Sequence, residues 1–159
     1  MVISKKTQMI ILGILIALTL TFIWGNSALP GTKSSQLSDA VKEVIDWVLE
    51  AILPEDFFQG GEGDGTLVRK LAHFTEFTLL GTELTLLIWQ VMGRSLTGPL
   101  LWGLLTAVTD ETIQLFSPGR GSSVRDVWID FGGVVTGMAI ILLVRRCRGR
   151  HVKKSYFSG

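Results

Sequence analysis

A chain of 159 residues with 47% hydrophobic residues and a net charge of +1 fits one domain, and its charge total says nothing about acidic partners. Its single cysteine, Cys147, excludes an intrachain disulfide and a cysteine-based zinc cluster. The apolar residues gather in a few long blocks, which is the pattern of a membrane protein rather than of a soluble core.

A membrane span needs about 20 apolar residues to cross roughly 30 Å of hydrocarbon. The first candidate, residues 9–25 ("MIILGILIALTLTFIWG"), is uncharged and ends beside Trp24. Lys5 and Lys6 precede it as they would in a signal peptide. Its apolar run, however, exceeds the roughly 7–15 residues of a signal core, and "GNSALP" is a poor cleavage site. It reads as an uncleaved span.

Residues 26–66 then carry eight Asp and Glu against Lys33 and Lys42. Inside this connection, residues 38–53 ("SDAVKEVIDWVLEAIL") put Val41, Val44, Ile45, Val48 and Ile52 on one helical stripe, with acids mostly opposite. Ser38 can cap that helix and Pro54 ends it. The expectation is an extracytoplasmic amphipathic helix lying on the bilayer or across the mouth of the bundle. "QGGEGDGT" follows as a glycine-rich hinge.

Residues 67–92 form the second candidate span, yet they contain His73, Glu76 and Glu83. A charge at mid-bilayer costs about 2.5–3.5 kcal/mol on insertion scales. The third span, residues 96–116, carries Asp110, Glu111 and Gln114. The fourth, residues 127–144, follows Arg125 and Asp126 and contains Asp130, Gly133 and Gly137. The small-xxx-small pair Gly133/Gly137 invites close approach by a neighbouring helix. The expected fold is all-α, a single membrane domain built as a four-helix transmembrane bundle.

Charge sets its orientation. Lys5, Lys6, Arg94 and the six cations of "RRCRGRHVKK" share their segments with no carboxylate. The positive-inside rule then places both termini in the cytoplasm and the acidic connection outside. In that topology, spans two and four start at the outer surface and span three ends there. His73, Glu76, Asp110, Glu111, Gln114 and Asp130 therefore meet at one depth, in the outer half of the membrane. Arg69, Lys70, Arg120 and Arg125 stand at the rim as partners for Glu76, Asp110, Glu111, Asp126 and Asp130. Glu83 lies deeper, with no partner that the sequence identifies.

Three blocks, "RKLAHFTEFTLLG", "DETIQLFSPGR" and "SVRDVWIDFGGVVTG", resemble the VanZ-like family of bacterial membrane proteins. The shared pattern is R-K-x-x-H-x-x-E, then D-E-x-x-Q-x-x-x-P-G-R, then D-x-x-x-[ND] followed by glycines. It spans Arg69 to Gly137; the first span and the acidic outer helix lie outside it. Asp130 stands where the pattern usually has an Asn-like residue, which adds a carboxylate. The resemblance implies a multi-pass protein of the bacterial plasma membrane. It also implies a link to low-level resistance to teicoplanin, a lipid-tailed glycopeptide antibiotic. The positions it carries over are Arg69, Lys70, His73, Glu76, Asp110, Glu111, Gln114, Arg120, Asp126 and Asp130.

Two functional classes follow from these residues. In the first, the site binds the headgroup of a lipid-linked cell-wall intermediate or a lipoglycopeptide. Arg69, Lys70, Arg120 and Arg125 would hold anionic oxygens, with Gln114, Asp126 and Asp130 completing the headgroup contacts. In the second, an intramembrane enzyme acts on a lipid-linked substrate, with His73, Glu76, Asp110 and Glu111 as candidate catalytic groups. His73, Glu76, Glu111 and Asp130 could alternatively hold a divalent cation. With one histidine in the spans and no H-E-x-x-H motif, no metal is assigned and the cofactor stays unknown. The expected partner is a membrane lipid or lipid-linked headgroup and not nucleic acid; whether the chain is catalytic, and its oligomeric state, are left open.

Overall fold

The computed structural model describes residues 4–33 and 65–156, and among these every regular element is an α-helix. The helices are α1 (Lys5–Ala28), α2 (Gly65–Val91), α3 (Thr97–Leu115) and α4 (Val124–Tyr156). The amphipathic helix expected at residues 38–53 lies outside the described residues.

Local chemistry sets the helix ends. Ser4 Oγ accepts the backbone N–H of Thr7 at 3.2 Å and so caps α1. The helix stops at Ala28, two residues before Pro30, and the N–H of its C-cap Leu29 turns back to the Asn26 carbonyl at 3.2 Å. Between α2 and α3, Gly93 takes φ +78°, a region that only glycine enters without strain. The Trp89 indole N–H donates to the Ser95 carbonyl at 2.7 Å and pins this turn. Pro99 is tolerated in the first turn of α3 because its missing N–H has no intrahelical acceptor there.

Helix α2 packs against all three others, most extensively against α4, and α3 also touches α1 and α4. The α2–α4 seam is close because Gly133 and Gly137 lack side chains. A Cβ on Gly137 would collide with the Thr78 carbonyl oxygen and come within 2.7 Å of the Thr82 N. Gly81 makes the reciprocal approach to the Val134 backbone. Ile23, Phe77, Leu80, Leu84, Ile88, Ala107 and Val134 fill the space between the helices.

Polarity is inverted relative to a water-soluble bundle. Glu83, Thr106, Asp110, Glu111, Gln114 and Asp130 are buried, while Ile14, Leu18, Phe22, Leu79, Leu101, Leu105 and Leu143 are exposed. The exposed Thr21, Thr75, Thr109 and Thr112 each donate their hydroxyl to the carbonyl four residues earlier, at 2.7–2.8 Å. Back-bonding of this kind satisfies a hydroxyl where water is absent. Helix α1 and residues Val124–Arg148 of α4 are each long and apolar enough to cross a membrane, with mean hydropathy 2.1. Helices α2 and α3 fall below that standard, and they carry most of the buried ionisable residues.

Candidate functional site

Packing pairs define two ends of the bundle. Glu76 meets Asn26, Glu83 meets Thr19, His73 meets Asp110 and Asp130, and Ser117 meets Ser27. The α1–α2, α2–α3 and α3–α4 pairs therefore run antiparallel, and α2 and α4 run parallel. The ends of α1 and α3 and the starts of α2 and α4 gather at one end, around the loop that joins α3 to α4.

His73, half-buried on α2, sits between Asp110 of α3 and Asp130 of α4. Its Nδ1 lies 3.7 Å from Asp110 Oδ2 and 4.0 Å from Asp130 Oδ1. Both carboxylates are shut off from the surface, with side chains 0% and 2% exposed. Gln114, one turn beyond Asp110, donates its amide N–H to Asp110 Oδ2 at 3.0 Å. Glu111, the next residue on α3, points to a different partner: its Oε2 accepts the Ser123 N–H at 2.9 Å at the start of α4. Ser123 in turn receives the Arg125 N–H on its hydroxyl at 3.1 Å, so α4 begins on a serine cap held by a carboxylate of α3.

Arg69, Lys70, His73, Glu111, Gln114, Asp126, Ile129 and Asp130 line a cavity of about 10 Å³, room for about one water or ion. Lys70 Nζ pairs with Asp126 Oδ1 at 3.3 Å across its mouth. Among the described residues this is the one Lys/Arg–carboxylate pair; in place of the wider pairing expected at the rim, Arg120 and Glu111 bond to backbone, and Glu76 and Asp110 to side-chain amides. Arg120 donates from Nη2 to the Asn26 carbonyl at 2.8 Å, tying the α3–α4 loop to the end of α1. Its Nε and Nη1 are buried without a partner. Arg69, Asp110, Glu111 and Glu76 are its charged neighbours; burial, together with Arg69, holds its pKa below the ordinary arginine value. Arg125 is exposed.

The acidic stripe of α2 divides between two neighbours. His73 faces α3 and α4, whereas Glu76 turns to α1 and accepts from Asn26 Nδ2 at 3.4 Å. Glu83 does the same one heptad on, accepting from Thr19 Oγ1 at 3.2 Å. The missing partner of Glu83 is thus a threonine of the first helix. Asn26, Ser27, Ser117 and Ser123 also belong to the polar network, and the sequence reading had not included them. Their signal was present in "GNSALP": Asn26 and Ser27 are polar residues that extend an apolar helix.

Comparison with protein families matches this chain over residues 10–145 to the family described as VanZ/LLP1. The match takes in the first helix as well as the three polar blocks. Comparisons with curated proteins and with solved structures find no match. With its inverted polarity, two helices long and apolar enough to cross a membrane and a polar cluster at one end, the chain is a membrane protein that belongs to the VanZ/LLP1 family.

Proposed function

We propose that the chain crosses the bacterial plasma membrane four times and binds, at its outer side, the polar headgroup of a lipid-linked cell-envelope molecule or a lipoglycopeptide. The topology rests on segregation of charge. Lys5, Lys6, Arg94, Arg145, Arg146 and Arg148 collect at the end opposite His73, with no acidic residue in their segments, which marks that end as cytoplasmic. Both termini are then inside and the His73 cluster opens outward.

The observation that carries the headgroup reading is Arg120. Its guanidinium is oriented by one backbone hydrogen bond and keeps two buried N–H donors with no acceptor. A planar fork held in this way suits two oxygens of a phosphate or carboxylate. Arg69 and Lys70 stand at the adjacent cavity and extend the positive surface. Exposed leucines and isoleucines around the bundle give the ligand's lipid tail an apolar wall.

A lipid-tailed glycopeptide shares that chemistry, so the proposal includes a contribution to low-level teicoplanin resistance. The test is drug susceptibility of a sensitive Gram-positive host making wild-type, Arg120→Ala or Glu111→Gln protein at matched membrane abundance. Protection against teicoplanin but not vancomycin, lost in both variants, is expected. Equal protection by all three forms would remove this site from the function, and no protection by wild type would remove the resistance role.

A second reading draws on His73 between two buried carboxylates, an arrangement able to move a proton on a bound headgroup. In that case the chain is an intramembrane enzyme, and purified protein would turn over a lipid-linked substrate.

A further inference from the structure

Three ligand-type atoms from three different helices converge on one point: His73 Nδ1 from α2, a carboxylate oxygen of Asp110 from α3 and one of Asp130 from α4. All lie within 4.8 Å of one another. That spacing surrounds a central ion at roughly 2.0–2.6 Å from each donor. It is too wide for hydrogen bonds, since the His73 distances are 3.7 and 4.0 Å.

The unpartnered atoms point the same way. His73 Nδ1 is buried with no hydrogen-bond partner, and so is one oxygen of each carboxylate, Asp110 Oδ1 and Asp130 Oδ2, on the same groups whose other oxygens lie 3.7 and 4.0 Å from His73. Buried polar atoms are satisfied as a rule, and an exception at a functional site calls for a water or an ion. Two carboxylates with side chains 0% and 2% exposed are costly without a compensating charge. Lys70 is committed to Asp126; Arg120 is a charged neighbour of Asp110 but forms no ion pair with it, its Nη2 being held by a backbone carbonyl. A divalent cation would neutralise both carboxylates and supply the missing partner to all three residues at once.

We propose that His73, Asp110 and Asp130 form a divalent-cation site beside the headgroup cavity, which His73 and Asp130 line. The mixed imidazole and carboxylate set suits a first-row divalent cation such as manganese, which favours carboxylates, or zinc, which favours imidazole. Gln114 serves the site indirectly: its amide fixes Asp110 Oδ2 at 3.0 Å and so orients the carboxylate, as second-layer hydrogen bonds do in metal sites. The adjoining cavity of about 10 Å³ accommodates a further ligand oxygen, from water or from an anionic headgroup. The proposal therefore deepens the headgroup reading, with the cation and Arg69, which lines the same cavity, taking different oxygens of one anion. Metal binding can nevertheless be measured with no lipid present, so either idea can fail alone.

The experiment uses the full chain, purified in detergent, stripped with chelator and titrated with manganese(II) chloride, with binding read by electron paramagnetic resonance. One ion per chain is expected, with affinity at least about tenfold weaker in Asp110→Asn and Asp130→Asn, at unchanged helical circular dichroism. A readout that needs no folded acidic variant is the nitrogen coupling of the bound ion in pulsed spectra. The chain has two histidines; the coupling should persist in His151→Ala and vanish in His73→Ala. A folded wild type that binds no manganese, or binds it without nitrogen coupling, would overturn the proposal. Unchanged affinity in both Asp variants would do the same, leaving His73 as a charged partner of two carboxylates.

Discussion

At the basic end of the bundle, Arg94, Arg145, Arg146 and Arg148 are exposed, and Arg145 lies 4.8 Å over the ring of Trp89. At the other end, Arg120 is half-buried beside carboxylates that have lost contact with solvent. The same side-chain chemistry does different work at each end. Exposed cations keep their hydration and need no fixed partner. Buried ones must be oriented by neighbours, and each unfilled donor or acceptor becomes a demand on a ligand. Burial, rather than charge count, separates the two ends.

The most severe way to break that contrast is to force α2 and α4 apart. Gly137→Val would drive a side chain into the Thr78 carbonyl and the Thr82 backbone, neither of which can rotate away. Overpacking costs about 1–3 kcal/mol, and occasionally more where backbone is the obstacle. The expected outcome is loss of most folded protein, read as membrane abundance and as a lower melting temperature in detergent. If the variant remains folded, the seam is looser than its glycines imply, and Asp130 is not rigidly held against His73.

Arg120→Ala should have the next largest effect. It removes the oriented fork and the tie to Asn26. Hydrogen bonds to a charged group contribute about 1.5–3 kcal/mol each, so headgroup affinity should fall by roughly ten- to a hundredfold. Native mass spectrometry of lipid retained through purification is the check. Arg94→Ala, at the exposed end, should retain the same lipid; equal losses in both variants would erase the distinction between the ends.

Much of this site was legible because depth can be counted along a helix. Once four apolar blocks are given alternating directions, His73, Asp110 and Asp130 fall at one level, and in the structure they lie side by side. What counting could not give was azimuth. His73 and Glu76 share a stripe in the sequence, yet neighbouring helices draw them apart, toward α3 and α4 and toward α1. Nor could sequence show that Glu111 accepts from the backbone of Ser123 rather than from an arginine, since backbone donors carry no residue signature. The first helix escaped notice as a site element because its inward groups, Thr19, Asn26 and Ser27, are small and uncharged.

At the basic end, Arg145→Ala removes a cation–π contact worth about 0.5–1 kcal/mol at an exposed site. It should lower the melting temperature by a few degrees at most, with headgroup binding unchanged. A large loss of binding would mean that the two ends communicate through α4.

Glu83→Gln should have the smallest effect and is the sharpest discriminator. Glu83 lies on the same α2 stripe as Glu76 and is only 5% exposed, so by burial alone it resembles Asp110 and Asp130. Its surroundings differ. It has one neutral partner, Thr19, at 3.2 Å, and no second ligand-type group is clustered with it among the described residues. Glutamine keeps an oxygen for the Thr19 hydroxyl and removes a buried charge, so stability should change by no more than about 1 kcal/mol and can rise. Manganese and headgroup binding should both be unaffected. Were Glu83→Gln to abolish either one, the polar path would run from the His73 cluster toward the middle of α2, and buried carboxylates alone, without convergence of three helices, would be enough to make a site.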